Sequence, residues 1–282
     1  MRTESVTIAG YNGNNEDALV IQSSQQLFAV IDGVSSLVPY KSPAGQTGGA
    51  TAAQIVREHL EAMTKDGDLR AELLAANEHI AAQMSAAGID LRQKEALWGA
   101  AAAAVKLDDR HLTYAQTGDC MIFAVYRDDT IRVLTHPQVS HLEAVALEKW
   151  EEATRSGTRT RDELISHVRP ILIQNRYQAN TAGGYGVLNG ESCSSEFLEF
   201  GRLNLIEIKA VILLTDGLFW PTARGEGPTG WEHTVRPILE KGLHAYAEEL
   251  IALEKSDPEC TAYPRFKPSD DKTGVVIHLP AH

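Results

Sequence analysis

The chain has 282 residues, 43% hydrophobic and 23% charged, with 26 Lys and Arg against 38 Asp and Glu and a formal net charge of -12. This is the composition of an ordinary globular protein with material for a sizeable core, and its negative balance and scattered basic residues argue against a nucleic-acid partner. Cys120, Cys193 and Cys260 lie far apart without CxxC spacing, which argues against a disulfide scaffold or a zinc knot and leads to the expectation of a reducing cytoplasm. The N-terminal MRTESVTIAG has no apolar signal core, and the longest apolar run, 96–105, is too short and alanine-rich to span a bilayer, so neither export nor a membrane is expected.

In chain order, residues 5–9, ALVIQ from Ala18 and LFAVID ending at Asp32 are separated by turn-rich YNGNN and SSQQ, and predict antiparallel strands. Over 47–63 the apolar positions Ala52, Ile55, Val56, Leu60 and Met63 recur at helical spacing. Leu69, Leu73, Ala76, Ile80 and Met84 repeat the pattern, so two amphipathic helices are predicted. WGAAAAAVKL, HLTYAQTG, CMIFAVY and TIRVLT, with polar DDR and RDD turns among them, predict an antiparallel meander. The stretch 138–200 is irregular; it carries Arg155, Arg159, Arg161, Arg169 and Arg176, then a glycine-rich AGGYGVLNG at 182–190 that reads as a mobile loop. KAVILLTDG at 209–217 predicts a buried central strand, 231–255 a helix, and TGVVIHL a closing strand. Without repeats or linkers, a single domain over 1–282 is expected.

The chemistry resides in the placement of aspartates, because a carboxylate at the mouth of a buried strand is held rigidly yet reaches solvent. LFAVIDG presents Asp32 and Gly33, and VILLTDG presents Asp216 and Gly217. Alone, each Asp-Gly is a turn signal. Asn15-Glu16-Asp17, Gly118-Asp119 and Asp270-Asp271 also sit near strand ends. If the strands stack as two sheets, all five sites converge on one edge, where unpaired carboxylates repel one another unless cations intervene. All-oxygen ligation selects hard ions such as Mg²⁺ or Mn²⁺.

The series NED at 15–17, AVIDG at 29–33, WGAAAAAV at 98–105, TGDC at 117–120, LLTDG at 213–217 and SDDKT at 269–273 resembles the metal-dependent protein phosphatases of type 2C. The resemblance implies an α+β fold, a four-layer αββα sandwich of two antiparallel sheets flanked by helices, with a variable flap at about 138–200. It implies a two-metal centre of Mn²⁺ or Mg²⁺ held by Asp17, Asp32, Asp216 and Asp270, with Asp32 bridging, the Gly33 carbonyl contributing, Glu16 acting through water and Asp119 helping a third, weaker ion. Asp270 is preferred to Asp271 because Asp270-Asp271-Lys272-Thr273 fits the family pattern with its first aspartate as ligand. The activity implied is hydrolysis of phosphoserine and phosphothreonine in proteins by a water that two metals about 3.5–4 Å apart activate, with a cognate kinase as antagonist.

Two departures stand out. Relatives carry a phosphate-gripping arginine before the NED motif, where this chain has Tyr11-Asn12-Gly13-Asn14. Asn12 and Asn14, or Arg169 and Arg176 from the flap, are the candidate replacements. After Asp32-Gly33 the chain has Val34-Ser35-Ser36 in place of a histidine or methionine and two glycines. These departures motivate one alternative, a regulatory binding module on the same fold; a hydrolase of small phosphoesters, which differs only in substrate, is another. Cysteine-phosphatase spacing, the aspartyl-phosphate motif and a GxSxG elbow are all absent.

Overall fold

The computed structural model describes residues 1–34, 37–227 and 229–280. Its strands pair into two antiparallel sheets. The first contains β1 (Arg2–Ile8), β6 (Met121–Tyr126), β7 (Ile131–Val133), β9 (Ile208–Leu214) and β10 (Lys272–His278), in the order β1-β10-β9-β6-β7. The second contains β2 (Ala18–Gln22), β3 (Leu27–Val34), β4 (Gly99–Leu107), β5 (His111–Thr117) and β8 (Glu199–Asn204), in the order β2-β3-β4-β5-β8.

The two-residue alternation of the central strands decides what each face packs against. On β3 and β4, Phe28, Val30, Ala101, Ala103 and Val105 face the first sheet and meet Ile122, Val211, Leu213, Val275 and Ile277. The intervening Ala29, Ile31, Ala100, Ala102 and Ala104 face outward onto Ile55, Val56 and Leu60 of α1 (Gly48–Ala62) and Leu73 and Ile80 of α2 (Leu69–Ala86). Both helices begin on side-chain caps: Thr47 accepts from the Ala50 amide at 3.2 Å and Asp68 from the Ala71 amide at 2.8 Å. On the far side, Phe123, Val125, Ile212, Leu214 and Val276 meet Val235 and Ile238 of α5 (Glu232–Lys241) and Tyr246 and Leu250 of α6 (Leu243–Ser256). The order of layers is therefore helix, sheet, sheet, helix, the expected α+β sandwich.

Three local expectations are corrected. The helix expected over 231–255 is two helices, because Gly242 adopts φ +86 and ends α5, its amide donating to the Ile238 carbonyl at 3.0 Å. The irregular stretch holds a hairpin of α3 (Ser140–Arg155) and α4 (Arg161–Arg176), which buries Ala146, Trp150, Leu164 and Val168 against Cys260, followed later by β8. The glycine-rich 182–190 segment is anchored: Tyr185, Val187 and Leu188 are buried, and Leu188 exchanges two 3.0 Å backbone hydrogen bonds with Ala100. Its apolar residues seek the core despite the glycines between them.

The alanines of β4 set how closely the sheets approach. Replacing Ala103, fully buried between them, with leucine is expected to cost about 1–3 kcal/mol by overpacking, measured as a lower urea midpoint. The exposed Val145→Ala on α3 should leave the midpoint within roughly 0.5 kcal/mol of the parent.

Candidate metal centre

The antiparallel topology collects the acidic sites. Asp17 precedes β2, Asp32 is near the end of β3, Asp119 lies between β5 and β6, Asp216 follows β9 and Asp270 precedes β10. Strands that alternate in direction bring these starts and ends to one edge of the sandwich. Glycines allow the crowding there. Gly118 turns the chain at φ +77, and a Cβ on it would lie 2.5 Å from the Cβ of Ala101. A Cβ on Gly33 would lie 2.5 Å from the carbonyl oxygens of both Glu16 and Gly49.

Each carboxylate has a distinct setting. Asp17 Oδ2 accepts from the Thr215 hydroxyl at 2.9 Å, whereas Asp17 Oδ1 and Asp216 Oδ1 are buried without a hydrogen-bond partner. Asp271 is occupied, its two oxygens accepting the Gly10 and Glu16 amides at 2.6 and 2.7 Å and stapling the 10–17 loop to the start of β10. Asp270 Oδ1 instead accepts from Lys267 Nζ at 2.6 Å and from the Asp271 amide at 2.9 Å. The Glu16 carboxylate accepts from the Thr47 hydroxyl. Behind the site, buried Lys272 donates to Glu254 at 2.9 Å, to the Ser269 hydroxyl at 3.1 Å and to the Asp270 carbonyl at 2.9 Å. That strut fixes the backbone of the SDD segment.

Burial pushes the carboxyls of Asp17 and Asp32 well above the usual range, and neighbouring aspartates push the same way: Asp216 and Asp271 on Asp17, Asp17 and Asp216 on Asp32. Burial and then Asp270 raise Asp216; burial and then Asp216 raise Asp119 to about 7. Glu143 on α3 joins them, raised to about 8 by burial and by Asp119, Asp216 and Asp270. Burial would lower the Lys267 ammonium, but Asp270, Asp32 and Asp216 overcome it and push it up. The buried Cys120 thiol is pushed up by burial, Asp32 and Asp119, the opposite of what a nucleophilic thiolate needs.

These features fit hard divalent cations: the available ligands are carboxylate oxygens, and two are buried with nothing to satisfy them. Among the described residues no three acidic, histidine or cysteine side chains already close into a cage. Mutual repulsion and the Lys267–Asp270 pair oppose such closure. Beside the cluster opens a cleft of about 610 Å³ lined by Asn12, Asn14, Glu16, Lys267, Asp270 and Asp271, among others.

Of the expected residues, Asp17, Asp32, Asp119, Asp216 and Asp270 are brought together, with Gly33 and Glu16 beside them and Asn12 and Asn14 in the cleft. Arg169 and Arg176 are not among the cleft's lining residues: Arg169 is exposed on α4, and Arg176, in the last turn of that helix, lines a separate small pocket with Val34, Trp98 and Tyr185. The hairpin packing that buries Leu164 and Val168 directs these arginines elsewhere. Ser35 and Ser36 lie outside the described residues. Lys267 and Glu143 had no local sequence signal, since what distinguishes them is the company of residues distant in the chain.

A carboxyl whose folded pKa is raised binds protons that the unfolded chain has released, so its stabilising effect is present below the unfolded pKa and is lost as pH rises through the folded one. For Asp119 the window runs from 3.8 to about 7. Without divalent metal, Asp119→Asn is therefore expected to gain in melting temperature relative to the parent as pH rises from about 5 to 8. A difference that is flat across this range contradicts the electrostatics described.

Residues 10–250 match the family model of protein phosphatase 2C. No curated protein sequence matches the chain significantly. Among solved structures, the chain is similar to the serine/threonine phosphatase Stp1 from Staphylococcus aureus, with a TM-score of 0.61 and 16% identity over 99% of this chain and 95% of that one. It is similar to the Mycobacterium tuberculosis serine/threonine phosphatase PstP/Ppp, with a TM-score of 0.58 and 21% identity over 99% of both chains. A structure of the PstP catalytic domain in complex with two manganese ions gives a TM-score of 0.57 and 20% identity over 98% and 96% of the respective chains. At such identities the structural likeness establishes the fold. The family match spans most of the sequence, and on that ground the chain belongs to the protein phosphatase 2C family.

Proposed function

We propose that this chain is one catalytic unit that hydrolyses phosphoserine and phosphothreonine esters in other proteins with the help of two divalent cations, Mn²⁺ or Mg²⁺. The observation that carries the reading is the pair of buried, unsatisfied oxygens, Asp17 Oδ1 and Asp216 Oδ1, within a cluster of aspartates beside an open cleft. Family membership and a neighbour that holds two manganese ions support it. Asp17, Asp32, Asp216 and Asp270 would hold the two ions with the Gly33 carbonyl. Glu16 would act through water, and Asp119 would assist a third, weaker ion. When bound, such ions supply Lewis-acid activation of water and neutralise charge on the phosphate.

The chain's own residues prepare the site. Thr215 and Thr273 lock the rear: the Thr215 hydroxyl donates to Asp17 and accepts from the Thr273 amide at 3.0 Å. Asn12 and Asn14, at the cleft, can donate hydrogen bonds to an ester or peptide group. A cleft open to solvent suits a side chain presented on another protein. A kinase that phosphorylates the same target is the antagonist this activity requires. Three free cysteines suit a reducing, cytoplasmic setting, and no helix among the described residues is long and apolar enough to cross a membrane.

The test is turnover of p-nitrophenyl phosphate and a phosphothreonine peptide with Mn²⁺, Mg²⁺ or EDTA. Turnover of both substrates is expected with metal and not with EDTA, and Asp216→Asn should lower kcat about 100-fold or more. Turnover of p-nitrophenyl phosphate alone would favour a small-phosphoester hydrolase. Metal binding without hydrolysis would favour a binding module.

A further inference from the structure

We propose that Lys267 is the residue that grips the substrate phosphate, in place of the arginine that the 11–14 loop lacks. The proposal rests on the phosphatase reading of the site and names a residue that its motifs do not contain. Two lysines lie on the segment that carries Asp270, and their surroundings separate their roles. Lys272 is 1% exposed and has all three ammonium protons engaged by Glu254, Ser269 and the Asp270 carbonyl. It is a strut. Lys267 is 32% exposed, lines the cleft with Asn12 and Asn14, and donates to Asp270 Oδ1.

The backbone before Lys267 is braced. Arg265 donates to the carbonyls of Asp257 at 2.6 Å and Glu254 at 3.1 Å, and Arg161 donates to the Phe266 carbonyl at 2.9 and 2.7 Å. A side chain rooted there has a fixed base, and at the end of its flexible four-carbon stem the ammonium presents three protons that can be redirected. Its present partner, Asp270, is one of the proposed metal-holding carboxylates. With a cation held at Asp270, Lys267 would be freed from that carboxylate to face a phosphate dianion in the cleft. Lys267 thus serves first as counter-charge to the aspartates and then as the phosphate contact. Removing it should have two opposite effects: metal binds more tightly, because a competing cation is gone, and phosphate binds less tightly.

The experiment compares the full-length parent with Lys267→Gln and Lys267→Arg by calorimetric titration, first with Mn²⁺ and then, on Mn²⁺-loaded protein, with inorganic phosphate. Steady-state kinetics on p-nitrophenyl phosphate accompany it. For Lys267→Gln we expect a lower apparent dissociation constant for Mn²⁺. Phosphate affinity should fall about tenfold, and KM should rise by a similar factor with kcat within about threefold. Lys267→Arg should restore phosphate binding. Unchanged phosphate affinity and KM in Lys267→Gln overturn the proposal, as does a parent that binds Mn²⁺ but no phosphate. A parent that binds phosphate without turning over substrate sinks the phosphatase reading, while the calorimetric comparison still decides Lys267. Lys267→Ala supplies a second neutral variant if the glutamine variant does not fold in the presence of Mn²⁺.

Discussion

Repulsion among carboxylates is the constraint around which this molecule is organised. Asp17, Asp32, Asp119, Asp216 and Asp270 arrive from separate strand ends at one edge of two packed sheets, where burial first and neighbouring aspartates second raise the ionisation cost of Asp32, Asp119 and Asp216. Left to relax, such groups would turn toward water. They are prevented by contacts outside the cluster: Thr215 holds Asp17, Lys272 fixes the backbone of Asp270, and Asp271 spends both oxygens on the amides of the 10–17 loop. The folded chain thereby holds carboxylates that resist ionisation at close quarters, an arrangement eased by protons, by Lys267 and by any cation the site takes up.

The sandwich supplies the rigidity for this. Alanines along β4 let the two sheets and α1 approach one another closely, so the strand ends bearing Asp32 and Asp119 rest on a dense, dry core. Gln138 accepts from the amides of Gly186 and Gly118, tying the turn of Asp119 to the anchored 182–190 loop. The α3–α4 hairpin adds Glu143, whose carboxyl is pushed up by burial and by Asp119, Asp216 and Asp270.

Much of this was legible in the sequence where the signal is local. Apolar runs that end in Asp-Gly became β3 and β9 with Asp32 and Asp216 at their mouths, and the 3.6-residue periodicity around Ile55 and Ile80 became α1 and α2. The legibility failed where tertiary context decides. The helices α3 and α4 are polar over most of their surface and bury only a few residues each, so they offered few apolar positions to read, and Pro170 within α4 reads locally as a breaker. Gly242 lies inside the single helix expected over 231–255 but ends α5. Lys267 and Lys272 are five residues apart with the same side chain; burial of Lys272 against Glu254 makes it a strut, whereas Lys267 lies in the cleft.

The most direct test of the account is a crystal structure of the protein soaked in Mn²⁺, with data collected near the manganese absorption edge. The account predicts anomalous density beside Asp17 Oδ1 and Asp216 Oδ1, with Asp270 turned from Lys267 toward a metal. Ordered crystals that show no anomalous density at this edge of the sandwich, or show it only at other surfaces, would contradict the claim that the aspartates are gathered to hold cations.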